Sequence, residues 1–263
     1  MVTNDGFLTA GIDAGASRIK VALLRGRNLL GHVVLEEGTE SITEISKRAL
    51  ADTCRIAGIS LDDIGKVAVT GMAYKYVHLE GEHINESACL ARGIDFLMPE
   101  ARTVIDVGAQ KSLAIKCDAG VPLKIRYSEK CASGSGRFLD VVAATMAMDK
   151  TELSRLGLST DNFVEVQSTC TIFAESEIIT LIHSDEKPAE IARGAYRALA
   201  RRLYGLLLQV GLQEIVCVAG GVSADACLLD ELAKLAGCEI KTAVQSDIVM
   251  ACGAALAVQQ GAI

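Results

Sequence analysis

The sequence predicts an α/β protein of two lobes, each opening with a β-meander that starts from a strand and an Asp-x-Gly turn. Three observations support this fold class. The apolar segment Leu8–Gly15 ends in Asp13-Ala14-Gly15, and the segment Thr103–Gly108 repeats the same design. Much later, the apolar segment Glu214–Ala219 runs into two consecutive glycines. Such strand-to-glycine junctions let backbone N–H groups approach a bound group at the end of a sheet.

Composition narrows the class of protein further. The chain has 263 residues, half of them hydrophobic and 24 of them glycine, which suits one large domain or two ordinary ones with many tight turns. The net charge of -7 argues against a general nucleic-acid binder. No apolar run approaches the ~20 residues of a membrane span, and the start Met1–Asp5 lacks the features of a signal peptide. We therefore expect a cytoplasmic protein with no nucleic-acid and no membrane partner.

The first lobe, assigned to residues 1–97, continues with two more predicted strands over 19–25 and 29–36. Ser41-Ile42-Thr43-Glu44 is typical of a capping box at the start of a helix that ends near Gly58. A short strand is then expected over Lys66–Thr70, ending at Gly71. The apolar face of the helix is expected to carry Ile42, Ile45, Ala49 and Ile56.

The second lobe, assigned to residues 98–246, repeats the plan. Strands over 112–117 and 121–127 are expected to form a hairpin turning at Asp118-Ala119-Gly120. A long helix is predicted from Pro188, a favourable first helical residue, to Gly211. Its apolar face carries Ile191, Ala195, Leu199, Leu203 and Leu206. The alanine- and glycine-rich final helix, within 247–263, is expected to pack back onto the first lobe.

The two Asp-x-Gly turns are candidate phosphate loops. One is Asp13–Ser17 and the other is Asp106–Gln110. An aspartate facing phosphate suits Mg²⁺, and a water held by Asp106 or Gln110 is a candidate nucleophile for a γ-phosphate. A single Asp-x-Gly is most often an ordinary β-turn. Two copies in matching β contexts, with Gly220-Gly221 downstream to receive adenosine, favour an ATP site instead.

The sequence contains no Walker A motif, which excludes a P-loop. The candidate catalytic residues are Asp13, Asp106 and Gln110. The residues expected to bind ATP or ADP are Gly11, Asp13, Gly15, Ala16, Ser17, Lys20, Asp106, Gly108, Gln110, Gly134, Gly136, Gly220 and Gly221.

Two of the nine cysteines stand in distinctive segments. Cys131 lies in Lys130–Phe138 and Cys170 in Ser168–Ser176, and a helical pattern follows each segment. A helix N-terminus favours a thiolate. Two thiolates are too few for a four-cysteine iron–sulfur site, but two chains on a twofold axis would supply four. The other cysteines read as small buried hydrophobes, and no C-x-x-C motif occurs.

The order of first phosphate loop, second phosphate loop and adenosine glycines resembles the superfamily of acetate and sugar kinases, heat-shock chaperones and actin, which has a ribonuclease H-like fold. Within it, the Cys131 and Cys170 segments are similar to those of the BadF/BadG/BcrA/BcrD-type ATPases. That family contains the activators (component A) of 2-hydroxyacyl-CoA dehydratases and the ATPase subunits of benzoyl-CoA reductase.

The resemblance implies a homodimer, or a pseudo-symmetric heterodimer, that shares one [4Fe-4S] cluster held by Cys131 and Cys170. ATP binding and hydrolysis with Mg²⁺ would change the angle between the lobes. This change would drive one low-potential electron into a partner, either an acyl-CoA dehydratase or an aryl-CoA reductase component. Ferredoxin or flavodoxin is the implied electron donor.

Two segments depart from the family pattern. The activators usually carry Asp-x-Gly-Gly-Gln-Asp at the second phosphate loop, where this chain has Ala109 and Lys111. This departure puts the positioning of Mg²⁺ or water, and the rate of hydrolysis, in question. Thr70–Tyr74 also lacks the usual Gly-Tyr-Gly-Arg run, and Lys75 is the candidate for the displaced basic residue.

Three alternatives to a stand-alone activator remain open from the sequence. The first is an integral ATPase subunit of a benzoyl-CoA reductase-type complex. The second is a small-molecule kinase of the sugar-kinase superfamily without a cluster, although no sugar-pocket signal is present. The third is a nucleotide-binding regulatory protein that has lost turnover.

The long predicted helix also carries Arg193, Arg197, Arg201 and Arg202. These residues are consistent with a basic face for an acidic redox partner, but a solvated helix face is the preferred interpretation.

Overall fold

The computed structural model describes residues 7–128, 135–167 and 171–259, without the side chain of Ile172. The predictions for Cys131, Gly134 and Cys170 therefore fall outside the described residues. The described residues form two five-stranded mixed sheets with helices, which confirms the predicted α/β fold class. It divides into two compact units. Among the described helices, none is both long and apolar enough to cross a membrane.

The first unit contains the described residues up to Ala101, Cys117–Leu123 and the described residues from Ala243 onward. Its sheet has the order β3-β2-β1-β4-β5, with β1 antiparallel to β2 and parallel to β4. Its central strand β1 is buried along its whole length. The strands are β1 (Leu8–Ala14), β2 (Arg18–Arg25), β3 (Asn28–Glu36), β4 (Lys66–Thr70) and β5 (Glu82–His83).

Three helices, α1 (Ile42–Ala57), α2 (Glu86–Leu97) and α8 (Val249–Gln259), belong to this unit. Helix α8 approaches its neighbours so closely that only glycine fits at the contacts. A Cβ at Gly253 would lie 1.7 Å from the carbonyl oxygen of Cys89 on α2, and a Cβ at Gly11 would lie 1.9 Å from that of Ala251. The small residues of the final helix thus permit the close packing that the sequence suggested.

Two details of α1 differ from the prediction. The Ser41 hydroxyl accepts the Glu44 N–H at 3.2 Å, but the Glu44 carboxylate pairs with Lys47 at 3.0 Å, so only half of the capping box forms. Ile56, predicted to be buried, is 59% exposed. The Ile56 side chain lies beside Gly31 of β3, where an added Cβ would be 3.7 Å from Ile56 Cγ2. Because glycine has no side chain, this position does not cover Ile56.

The second unit contains Arg102–Lys116 and the described residues of Lys124–Thr242. Its sheet has the order β10-β9-β6-β7-β8, with β6 antiparallel to β7 and parallel to β9. The predicted hairpin between β7 and β8 is confirmed. Its turn has positive φ at both Ala119 (45°) and Gly120 (74°), as a type I′ turn requires. The strands are β6 (Thr103–Val107), β7 (Ser112–Asp118), β8 (Val121–Tyr127), β9 (Val216–Gly220) and β10 (Ile240–Thr242).

The helices of the second unit are α3 (Gly136–Thr145), α4 (Lys150–Leu158), α5 (Thr171–His183), α6 (Pro188–Val210) and α7 (Ala226–Ala236). Helix α6 has Pro188 in its first turn and Gly211 as its C-cap, as predicted. All five residues predicted for its apolar face are buried, and they join the core that the other helices build on the sheet.

The prediction of a solvated arginine face on α6 is wrong for Arg193, which is buried, and is confirmed for Arg201, whose side chain is 45% exposed. Arg193 is 1% exposed, and its Nε lies 2.7 Å from Glu231 on α7. Arg197 pairs with the other oxygen of the same carboxylate at 3.1 Å. Arg201 forms an exposed ion pair with Glu165 at 2.7 Å. The guanidinium of Arg202 lies 4.8 Å from the centre of the Phe138 ring on α3. The arginines thus hold α6 against its neighbours.

Candidate functional site

The first phosphate loop begins at Asp13, on the central strand of its sheet. The sheet register places Asp13 opposite Lys20 on β2 and Thr70 on β4. Lys20 Nζ lies 2.8 Å from Asp13 Oδ2, and the two side chains are only 11% and 5% exposed. The lysine predicted to meet a phosphate is therefore held by the aspartate predicted to face Mg²⁺. The pair fixes the orientation of the carboxylate at the end of β1.

Gly71, which the sequence marked only as a strand end, bounds the same carboxylate. It has φ of 93°, and a Cβ there would lie 2.5 Å from Asp13 Oδ1 and 2.4 Å from the Ala14 carbonyl oxygen. The Ala14 carbonyl also accepts the N–H of Ala73 at 2.9 Å. The sequence did offer one signal for this site, because β1 and β4 both end in glycine turns. Ligands bind outside the carboxyl ends of parallel strands, so two such turns indicate a shared site.

The turn after Asp13 also depends on glycine. The Gly15 N–H donates to the Arg18 carbonyl at 3.0 Å, and a Cβ at Gly15 would lie 2.8 Å from that same oxygen. Ala16 is half-buried and Ser17 is exposed. Gly11 lies earlier on β1, where its contact with α8 accounts for the absence of a side chain. The assignment of these residues to nucleotide binding stays a prediction.

The second phosphate loop lies beside the diglycine turn within the second unit. The parallel register aligns Asp106 with Ala219 and Val107 with Gly220. A Cβ at Gly220, whose φ is 90°, would lie 2.7 Å from Asp106 Oδ1, and the Gly221 N–H donates to the Val107 carbonyl at 3.1 Å. The two predicted nucleotide-binding turns are therefore brought together at the carboxyl ends of β6 and β9, where α/β sheets bind ligands.

The start of α3 joins this group. The Gly136 N–H donates to the Gly108 carbonyl and the Arg137 N–H to the Ala109 carbonyl, both at 2.9 Å. A Cβ at Gly136 would lie 3.1 Å from Val222 Cγ1, so the helix start also borders the diglycine turn. Gln110 is exposed at the far end of the loop. Whether Gly136 and Gln110 contact nucleotide stays a prediction.

Lys111, one of the two departures from the family pattern, has an aromatic neighbour. Its Nζ lies 5.2 Å from the centre of the Tyr127 ring at the end of β8. A cation–π contact of this kind contributes about 0.5–1 kcal/mol at an exposed site. The lysine is thus accommodated by a specific contact that the sequence did not reveal.

A hydrogen-bonded network supports the diglycine turn. The Ser223 hydroxyl donates to the Gly220 carbonyl at 2.7 Å. Asp225 caps α7, and it accepts the hydroxyls of Tyr196 at 2.8 Å and Ser154 at 2.7 Å. Burial and the Asp225 carboxylate raise the pKa of Tyr196, so its hydroxyl stays protonated as a donor. Sequence reasoning missed Asp225, although an aspartate just before an apolar helical run is an N-cap signal.

Seven of the nine cysteines are described, and six of them are buried in helices or strands while Cys238 is half-buried. Burial raises the pKa of Cys89, Cys227 and Cys252 to about 12. These groups are thiols and not thiolates at neutral pH. Within the described ranges, no three His, Cys, Asp or Glu side chains come together to hold a metal. The assignment of Cys131 and Cys170 as cluster ligands stays a prediction, because both cysteines lie outside the described residues.

The helices predicted after the two cysteine segments are present. Helix α3 begins at Gly136, five residues after Cys131, and α5 begins at Thr171, directly after Cys170. The Glu177 carboxylate accepts the Gln167 N–H at 2.8 Å, so residues on either side of 168–170 are joined. The positive end of a helix dipole favours negative charge, including thiolates, although at α3 the N–H groups of Gly136 and Arg137 already donate to loop carbonyls.

The two five-stranded sheets and their helices define an α/β class of protein whose fold is shared by sugar kinases. The ROK hexokinase from Thermus thermophilus superposes with a TM-score of 0.52 at 16% identity, covering 95% of this chain and 98% of its own, which shows the fold alone. The model of the BadF/BadG/BcrA/BcrD ATPase family matches residues 10–258, and the chain belongs to that family. The suspected family is confirmed.

The relatives include dehydratase activators and a benzoyl-CoA reductase subunit. A 2-hydroxyisocaproyl-CoA dehydratase activator from Clostridioides difficile is 34% identical over 94% of this chain and 93% of its own. A benzoyl-CoA reductase subunit from Thauera aromatica is 30% identical over 86% of this chain and 82% of its own. The solved activator of the 2-hydroxyisocaproyl-CoA dehydratase from Clostridium difficile, with bound ADPNP, has a TM-score of 0.87 and 33% identity, covering 97% and 95% of the two chains.

Proposed function

We propose that this protein is an ATP-dependent electron-transfer activator that drives a low-potential electron into a 2-hydroxyacyl-CoA dehydratase or a related reductase. The observation that carries the proposal is the match to a dehydratase activator over 94% of the chain. The direct hydrogen bonds between the second phosphate loop and the helix after the Cys131 segment support it. They give a physical connection between the nucleotide site and the proposed electron-carrying segment.

Each proposed phosphate loop carries an aspartate suited to Mg²⁺, Asp13 in the first unit and Asp106 in the second, and the charge of the ion would offset that of the phosphates. Asp106 or Gln110 orients the attacking water, and the diglycine turn receives adenosine. Phosphoryl transfer depends mostly on positioning and on charge neutralisation, so small changes in loop geometry change the rate. For this reason, the Ala109 and Lys111 departures remain candidates for modulating turnover.

The proposed electron carrier is one [4Fe-4S] cluster shared by two chains. Cys131 and Cys170 of each chain would supply its four thiolates. When bound, such a cluster stores one electron at low potential. A homodimer meets this requirement with identical chains, and a pseudo-symmetric heterodimer would meet it with a related chain. We propose ferredoxin or flavodoxin as the donor and an acyl-CoA dehydratase or aryl-CoA reductase component as the recipient.

Nucleotide can drive this transfer only if it binds two conformations of the chain with different affinity. The expected result is that MgATP and MgADP give different rates of iron removal by an Fe²⁺ chelator from the reduced protein. The measurement follows the coloured iron–chelator complex anaerobically, with no nucleotide as the reference. Equal rates in all three conditions would contradict the coupling while leaving the cluster itself intact.

A permanent ATPase subunit of a benzoyl-CoA reductase-type complex is the second candidate. The similarity to the benzoyl-CoA reductase chain from Thauera aromatica favours it. The two candidates differ in assembly. A stand-alone activator is isolated as a dimer of this chain, whereas an integral component remains with larger reductase chains through purification from its own cells.

A further inference from the structure

The start of α3 is capped in an unusual way. The first N–H groups of a helix have no acceptor within the helix, and a serine at the N-cap normally accepts one of them. Ser135 holds the N-cap position, is fully buried and makes no such bond. Its hydroxyl instead donates to the Ala109 carbonyl at 2.8 Å. The serine hydroxyl therefore binds the second phosphate loop and does not cap its own helix.

The helix N–H groups point the same way. Gly136 and Arg137 donate to the carbonyls of Gly108 and Ala109, so the Ala109 oxygen accepts two hydrogen bonds from the start of α3. Three bonds thus join two successive peptide groups of the loop to one helix end.

The geometry of the peptide group determines where the N–H groups of the loop point. In a trans peptide, the C=O of one residue and the N–H of the next point in opposite directions. The Gly108 carbonyl, held by α3, turns the Ala109 N–H away from the helix. The Ala109 carbonyl does the same to the Gln110 N–H. Successive backbone N–H groups that point the same way can form a concave site for an anion.

We propose that Ser135 is a positioning residue for the nucleotide. Its hydroxyl aims the loop N–H groups at the phosphates, and the same bond carries the presence of nucleotide to the start of α3. The inference rests on the proposed ATP site but does not require the cluster. The proposal therefore gives Ser135, which belongs to the Cys131 segment, a role at the second phosphate loop.

The test compares Ser135→Ala with Thr145→Val. Thr145 lies at the other end of α3, and its hydroxyl donates to the Val141 carbonyl at 2.8 Å, so each variant loses one hydroxyl–carbonyl bond of the same helix. We expect Ser135→Ala to raise KM for ATP about five-fold, the effect of one net hydrogen bond, with kcat nearly unchanged. Thr145→Val should leave KM unchanged. Thermal unfolding of both variants checks that the fold is retained.

A second readout follows hydrogen exchange in peptides that cover the start of α3. In the unsubstituted protein, Mg-ADPNP should slow exchange at Gly136 and Arg137, and in Ser135→Ala this effect should weaken. An unchanged KM in Ser135→Ala, an equal change in Thr145→Val, or exchange that ignores ADPNP would each overturn the inference. If the unsubstituted protein neither binds ADPNP nor hydrolyses ATP, the proposed function itself fails.

Discussion

Asp106→Asn is expected to lower kcat for ATP hydrolysis by about 10²–10⁴-fold, the range measured when a general base is removed. The Asp106 carboxylate lies against Gly220 at the carboxyl end of β6, beside the diglycine turn. Asparagine keeps the shape of the side chain but removes the charge that would orient water or hold Mg²⁺. Phosphate release measured under anaerobic conditions, with saturating MgATP, gives kcat directly.

The matched control is Asp161→Asn in the same unit. Asp161 is 91% exposed and pairs with Lys234 at 2.7 Å, so it tests the loss of a carboxylate away from the loop. We expect its kcat to stay within about two-fold of the unsubstituted protein, since an exposed ion pair contributes little. Should Asp106→Asn also retain its kcat, the assignment of Asp106 as a catalytic residue is wrong, and Gln110 remains as the residue proposed to orient the water.

Glu231→Ala is expected to lower the free energy of unfolding by about 3–5 kcal/mol, the usual cost of removing one partner of a buried ion pair. Glu231 is 1% exposed and binds Arg193 at 2.7 Å and Arg197 at 3.1 Å. A guanidinium cannot lose its proton in a protein, so Arg193 would stay charged and buried, with Asp230 as its remaining carboxylate partner, while Arg197 would lose its partner. Urea denaturation without nucleotide measures the change.

Glu165→Ala provides the comparison for that variant. Its carboxylate also pairs with an arginine of α6, Arg201, but the two side chains are 51% and 45% exposed. Exposed pairs contribute about 0–1 kcal/mol. If both variants lose the same free energy of unfolding, burial does not determine how much the Arg193–Glu231 pair contributes to stability. The interpretation of α6 as an ion-paired core helix would then be incorrect.

The parts of the fold that the sequence predicted are those with a local signature. Strands β1 and β6 end in glycine turns, the hairpin turn needs positive φ at two residues, and α6 carries an unbroken apolar face between Pro188 and Gly211. Burial of Arg193 was not predictable in this way. It depends on Glu231, which lies 38 positions later in the chain, and the sequence pattern of α6 alone resembles a solvated face.

In the candidate site, too, contiguous motifs were predictable from the sequence and contacts between distant residues were not. The two Asp-x-Gly turns and Gly220-Gly221 were found because each motif is contiguous. The Asp13–Lys20 ion pair, the approach of Gly71 to Asp13 and the bond from Ser135 to the Ala109 carbonyl arise from strand pairing and loop packing. These contacts join residues between 7 and 58 positions apart, so no single motif contains them.

The most direct test of the proposed function is anaerobic purification followed by iron and sulfide analysis and EPR after dithionite. The unsubstituted chain is compared with Cys131→Ala, and Cys238→Ala serves as the control because Cys238 is a described, half-buried cysteine of the same unit. We predict about four irons per dimer and a reduced-cluster signal, both lost in Cys131→Ala and kept in Cys238→Ala. A protein that contains no iron after reconstitution, yet still turns over ATP, would contradict electron transfer and favour a small-molecule kinase.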